Sequence, residues 1–250
     1  SYVDDISGWD FVGDDGDPMD EQGHGTAVAG VIAASAYNRQ GTAGLCREIV
    51  VLPIRVFHEE MGVISDIEDA FRYAIDRRFD VINCSFGYDS SFPWMDEVLE
   101  KANRAGIMVV CSAGNRPVDL DTVEPLHFPR TRPFPNVITV TGTDQWDRFI
   151  PSFGYGANRV LLAAPGNEVG TTMLGGKVGT IAGTSFSAPQ VTGAVALAIG
   201  LWKWTHDTNE RPSVADLRRA LIDGVDPLPS LVGKCATGGR LNLPRFLRAF

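Results

Sequence analysis

The chain alternates continuous apolar runs with segments whose apolar residues recur every three to four positions. Residues 49–56 (IVVLPIRV), 80–84 (DVINC), 107–111 (IMVVC), 136–141 and 159–163 are short, apolar and rich in Val and Ile, and read as strands. Between them, residues 66–78 place Ile67, Ala70, Phe71, Ala74 and Ile75 on one helical face, with Ser65 as the expected cap. A second helix spans 95–105 and is closed by Gly106; a third begins near Ser185; a last one covers 214–223 behind Ser213. Strands that are apolar throughout, separated by helices, predict a mainly parallel sheet covered on both faces. The Pro-, Gly- and Asp-rich stretches 116–135 and 142–158 read as loops, and neither a repeat nor a linker divides residues 1–250, so the expectation is one domain.

Composition supports a folded body and removes several partners. Apolar residues make up 44% and charged residues 21%, ordinary for a globular chain and too apolar for disorder. The net charge is −9, and residues 1–21 carry −8 of it through seven Asp and Glu21, with no basic residue. Such a chain has no basic surface for nucleic acid. The stretch 187–204 is interrupted by Gln190, Thr192 and Lys203, and reads as a buried helix, not a membrane span. Cys46, Cys84, Cys111 and Cys235 lack metal-site spacing and read as small buried hydrophobes. The chain opens at Ser1 with no signal-like segment, and reads as a processed form or an excised piece.

Four segments carry chemistry. His24 lies in GHGTAVAG (23–30), at the start of a helix of small residues. Ser185 lies in GTSFSAP (183–189), at a turn entering an Ala/Gly-rich helix whose free N–H groups could hold an oxyanion; Pro189 is placed in its first turn. Ser187 stands where the GxSxG pattern needs a glycine, which argues against an α/β-hydrolase elbow. Asn115 lies in SAGN just beyond the strand 107–111, where α/β sheets build their sites. Ser85-Phe86-Gly87 follows the strand 80–84, and such an edge can pair with an extended peptide. Taken singly, such segments are more often a plain helix start, a cap or a turn than a site.

Together and in this order, GHGTAVAG, NCSFG, SAGN and GTSFSAP resemble the subtilisin-like serine proteases, from Gly8-Trp9-Asp10-Phe11 almost to the chain's end. The resemblance implies a three-layer α/β fold with a mainly parallel central sheet, and a single peptidase domain over 1–250. It implies a serine endopeptidase in which Ser185 is the nucleophile, His24 the general base and Asn115 an oxyanion donor. Ser85, Phe86 and Gly87 would line one side of the cleft, and Met61 and Gly62 the other. The implied partners are a peptide or protein substrate and an inhibitory propeptide; no cofactor is implied for the chemistry, and the implied setting is secreted or lumenal.

The family's third catalytic residue, an Asp in a D-[ST]-G turn after an early strand, has no match here. Residues 1–23 read as the acidic loop that follows that strand and leads into the His24 helix. The expectation is therefore a domain that lacks its N-terminal strand, with the catalytic Asp upstream and weak activity for the segment alone. The alternative is a catalytically impaired, peptide-binding relative. The acidic loop also suggests structural calcium, with Asp4, Asp5, Asp14 and Asp17 as candidate ligands.

Overall fold

The computed structural model describes residues 2, 5–39, 41–58, 61–90 and 92–250. In chain order the strands are β1 (Trp9–Asp10), β2 (Ile54–Arg55), β3 (Phe57–His58), β4 (Met61–Gly62), β5 (Val81–Cys84), β6 (Met108–Ser112), β7 (Val137–Thr143), β8 (Leu162–Pro165), β9 (Val169–Met173), β10 (Lys177–Ile181), β11 (Val225–Pro227) and β12 (Gly239–Leu241). The helices are α1 (His24–Ala33), α2 (Ile64–Asp76), α3 (Pro93–Arg104), α4 (Thr184–Thr205), α5 (Val214–Asp223) and α6 (Leu243–Leu247).

The central sheet has the order β11-β12-β8-β7-β6-β5. Five strands run parallel, and β11 pairs antiparallel with β12. Alternation along β6 explains its unbroken apolar run. Met108 and Val110 face a core shared with Val191, Val195 and Ile199 of α4, Leu217 and Leu221 of α5, and Phe246 of α6. Val109 and Cys111 face the opposite core, with Ile67 and Phe71 of α2 and Val98, Leu99 and Ala102 of α3. Helices thus cover both faces of the sheet. α4 is the one described helix long and apolar enough to cross a membrane, and most of that stretch is buried against the sheet. All four cysteines are free and buried.

The sheet ends at β5, where Val81, Ile82 and Asn83 are partly exposed while β6 and β7 are fully buried. The Asp80 carbonyl accepts from Met108 N (3.4 Å), so Ile82 and Cys84 also face β6. The backbone groups of Val81 and Asn83 therefore point outward, along an edge that no strand among the described residues pairs.

Several expected elements differ. Of residues 49–56 only Ile54–Arg55 pairs as a strand, with Trp9–Asp10 outside the main sheet, and Val50 is 87% exposed. An apolar run becomes a strand only where a neighbour takes up its backbone groups. α2 starts one residue before Ser65, with Val63 as its uncapped N-cap; the Ser65 hydroxyl instead donates to Asp66 (3.2 Å). Ser213 does cap α5, accepting from Asp216 N (3.1 Å). Pro189 sits beyond the first turn of α4. The antiparallel hairpin β9–β10, turned by Gly175 and Gly176 at positive φ, lies in Thr/Gly-rich sequence with no apolar run to announce it.

Candidate active site

His24 opens α1 directly after Gly23, which takes the left-handed conformation (φ 96°). The turn before it is organised by Asp20. Its carboxylate accepts from the backbone N–H groups of Gln22 (2.9 Å), Gly23 (2.8 Å) and Thr26 (2.7 Å) and from the Thr26 hydroxyl (2.6 Å). Burial works to raise the Asp20 carboxyl, but these donors outweigh it and hold it below the usual carboxylate range. α1 is seated on β9 by two hydroxyls: Thr171 donates to the Ala27 carbonyl (2.6 Å) and Thr172 to that of Thr26 (2.9 Å). The His24 ring lies 5.6 Å from that of Phe186, the neighbour of Ser185. Crowding by protein pushes the His24 imidazole below its ordinary value, and the charge of Asp20 pulls it back only in part. Among the described residues, no carboxylate hydrogen-bonds to His24.

Ser185 is the second residue of α4 and only 8% exposed. Its hydroxyl donates to the Ser85 carbonyl (3.2 Å), and the Ser85 hydroxyl donates to the Ser185 carbonyl (2.7 Å). Pro189 makes the second bond available. A helical residue at 189 would donate its N–H to the carbonyl of residue 185, and proline has none to give. Asn83 extends the link: its amide donates to the Ser85 hydroxyl (3.0 Å), and its oxygen accepts from Thr192 on α4 (2.8 Å). The end of β5 is thereby fixed to the start of α4.

Asn115 follows β6 through Gly114 (φ 99°). Its side-chain oxygen accepts from both the backbone N–H (2.9 Å) and the hydroxyl (3.0 Å) of Thr184. The same hydroxyl accepts from Gly114 N (3.0 Å), so its proton must go to Asn115. Two donors on one oxygen settle the amide's orientation and leave the NH₂ as the free end beside Gly183. Gly183 takes φ 142°, a conformation that residues with a side chain rarely adopt, and a Cβ there would press on the Asn115 amide (3.2 Å).

Most of the cleft candidates meet here. Phe86 packs on Phe57 (5.2 Å between ring centroids), and the Tyr88 hydroxyl donates to the Gly62 carbonyl (3.1 Å), so the β3–β4 hairpin that carries Met61 and Gly62 reaches the segment 85–88. The calcium candidates do not converge. Asp5 pairs with Arg77 and accepts from the Tyr73 hydroxyl (3.1 Å); Asp14 and Asp17 are exposed; Asp4 lies outside the described residues. Asp10 is occupied by Arg55 (2.7 Å) and by the N–H groups of Val12 and Gly13. No group of three or more His, Cys, Asp or Glu able to hold a metal occurs among the described residues, so this donor set does not fit calcium. Asp20, Asn83 and Thr184 gave no separate sequence signal, since each acts through a residue that did.

The model of the subtilase family matches residues 1–233. The chain belongs to the subtilase family. It is 38% identical over 193 residues to a thermophilic serine proteinase of Bacillus sp. (strain AK1), covering 77% of this chain and 46% of that protein. It is 38% identical over 197 residues to an intracellular serine protease of Paenibacillus polymyxa, covering 77% and 59%. The chain thus spans about half the length of these relatives. A crystal structure of a lanthipeptide protease shares the fold, with a TM-score of 0.83 over 97% of this chain and 80% of that one, at 23% identity. The expected secreted or lumenal setting gains no support from a relative named intracellular.

Proposed function

We propose that this subtilase domain, residues 1–250, is a serine endopeptidase. The reading rests on one observation above all: Thr184 turns the Asn115 amide so that its N–H₂ faces the turn that presents Ser185. In the proposed reaction the Ser185 hydroxyl leaves its bond to Ser85 and attacks the scissile carbonyl. His24, held neutral by its crowded setting, takes the proton and returns it to the leaving amine. The Asn115 amide and the Ser185 N–H stabilise the oxyanion, and water then releases the acyl group. No cofactor takes part. Substrate, or an inhibitory propeptide, would lie between the segment 85–87 and the β3–β4 hairpin.

The group that orients His24 is proposed to come from outside these residues, as an Asp at the end of a strand laid along the open edge of β5. That edge offers the backbone groups of Val81 and Asn83, and the two acids nearest in sequence are engaged elsewhere, Asp20 by four donors and Glu21 by Arg55 (3.0 Å). Without an orienting carboxylate, turnover falls by about 10⁴. The second reading, a peptide-binding relative with impaired catalysis, rests on the bond from Ser185 to Ser85 in place of His24.

Fluorophosphonate labelling separates the two. The expected result is slow labelling of the 250-residue chain at Ser185, and much faster labelling once it is extended by an apolar strand ending in Asp-Ser-Gly or Asp-Thr-Gly. Ser185→Ala serves as the blank. Absence of label from both forms refutes the peptidase reading.

A further inference from the structure

The walls of the cleft carry a charge that the reaction does not use. Segment 85–88 leaves β5 beside the nucleophile, with Ser85 bonded to Ser185. Two residues on, Gly87 has no side chain, and a Cβ built there would collide with Nη1 of Arg130. The loop that holds Arg130 is tied to the same segment by two backbone bonds, Tyr88 N to the Phe128 carbonyl (2.8 Å) and Phe128 N to that of Tyr88 (3.0 Å). The Thr139 hydroxyl fixes the Arg130 carbonyl from the sheet side. A guanidinium is therefore built into the wall within two residues of Ser85.

Its electrostatic partners are few. The Arg130 side chain is 10% exposed, and His127, whose Nδ1 lies 3.0 Å from Arg130 Nη2, is 12% exposed. Burial and then the charge of Arg130 push His127 below its ordinary value, and its Nδ1 accepts from Arg130, which can only donate, so it brings no negative charge to the pair. The one acid on the pair is Asp89, which is 57% exposed and bonds Arg130 Nη2 from the solvent side. Arg130 Nε is buried without a partner, and Nη1 donates to nothing among the described residues. Arg116, the residue after Asn115, adds a positive charge that Arg130 feels. A buried cation with unfilled donors favours an incoming carboxylate, which can accept two parallel bonds. Asp89, facing water, is screened more strongly and offers a basic side chain less.

We infer that Arg130 makes the cleft selective for acidic peptides, with Glu or Asp as the residue whose carbonyl Ser185 attacks. This rests on the peptidase reading above, and sets its substrate class. An extended substrate pairing with the edge 85–87 places that residue's side chain along Gly87, where no protein side chain intervenes.

The inference is tested on the strand-extended form with peptides identical except for Glu, Gln, Lys or Leu before the scissile bond. Glu exceeds its isostere Gln in kcat/KM by roughly 10- to 100-fold, the range for bonds to charged groups, and the preference shrinks as salt is added. In Arg130→Gln the Glu:Gln ratio falls to about one; being taken within one variant, it does not depend on how much of that variant folds. In Asp89→Asn the ratio rises, because Arg130 loses its competing anion. A labelled enzyme that prefers Lys or Leu, or whose Glu:Gln ratio is the same in Arg130→Gln, overturns the acidic preference alone. No labelling at Ser185 in either form overturns it together with the peptidase reading.

Discussion

Asn115 depends on Thr184 for its orientation. An amide free to rotate would present its oxygen to the oxyanion in part of the population, which repels where donation is needed. Asn115→Ala is expected to lower kcat by about 10²–10³, a magnitude established for a member of this same family. Thr184→Val removes the hydroxyl that links Gly114 N to Asn115, while one backbone bond to the amide oxygen remains. Its loss is expected to be smaller and to fall on kcat with KM little changed. Steady-state kinetics on the strand-extended form provide the check; a Thr184→Val enzyme with wild-type kcat would remove Thr184 from this role. The sequence singles out His24, Ser185 and Asn115 because each stands in a distinctive local motif. Thr184 stood in the same motif, but its bonds to residues 114 and 115 come from folding.

At the scale of elements, α1 matters because it carries His24 and has no other fixed point than its neighbours. Gly30 faces β9 so closely that a Cβ would strike the hydroxyls of Thr171 and Thr172, the two groups that hold α1. Gly30→Ala should therefore cost about 1–3 kcal/mol of stability, the range for overpacking a tight contact, read from a denaturant midpoint. Unchanged stability would mean that α1 and β9 are not in contact in solution. The small residues of α1 were plain in the sequence, and close packing was their expected use. Its partner was not, since the residues of β9 and β10 that pack toward α1, Val169, Met173 and Ile181, are scattered among Thr and Gly and form no apolar run. The strand β6 was legible for the opposite reason: burial on both faces favours apolar residues over nearly its whole length.

For the whole molecule, the acidic front end changes meaning once partners from distant segments are in place. Asp5 meets Arg77 at the end of α2, Asp10 meets Arg55 on β2, and Asp20 caps the entry to α1. These three acids hold the loop in place. The open edge of β5 is the complementary whole-molecule feature. In the 250-residue chain the amides of Val81 and Asn83 should exchange with solvent far faster than that of Val110, which lies in a fully buried strand. In the strand-extended form both should become protected. Hydrogen exchange followed residue by residue measures this, and equal protection in the two forms would mean that no strand docks there.

The sequence by itself determined the class of sheet, the order of the chemical segments and the two helices that start at His24 and Thr184–Ser185. Each of these follows from short-range pattern: periodicity, small residues, and glycines where the backbone must turn. Tertiary structure alone decided that Ser85 and Ser185, a hundred positions apart, exchange hydrogen bonds. It alone decided that residues 49–56 find a neighbour over only two positions, and that Arg130 fills the space Gly87 leaves. Such pairings depend on which surfaces are brought together when the apolar faces are buried, and no local spacing encodes that choice.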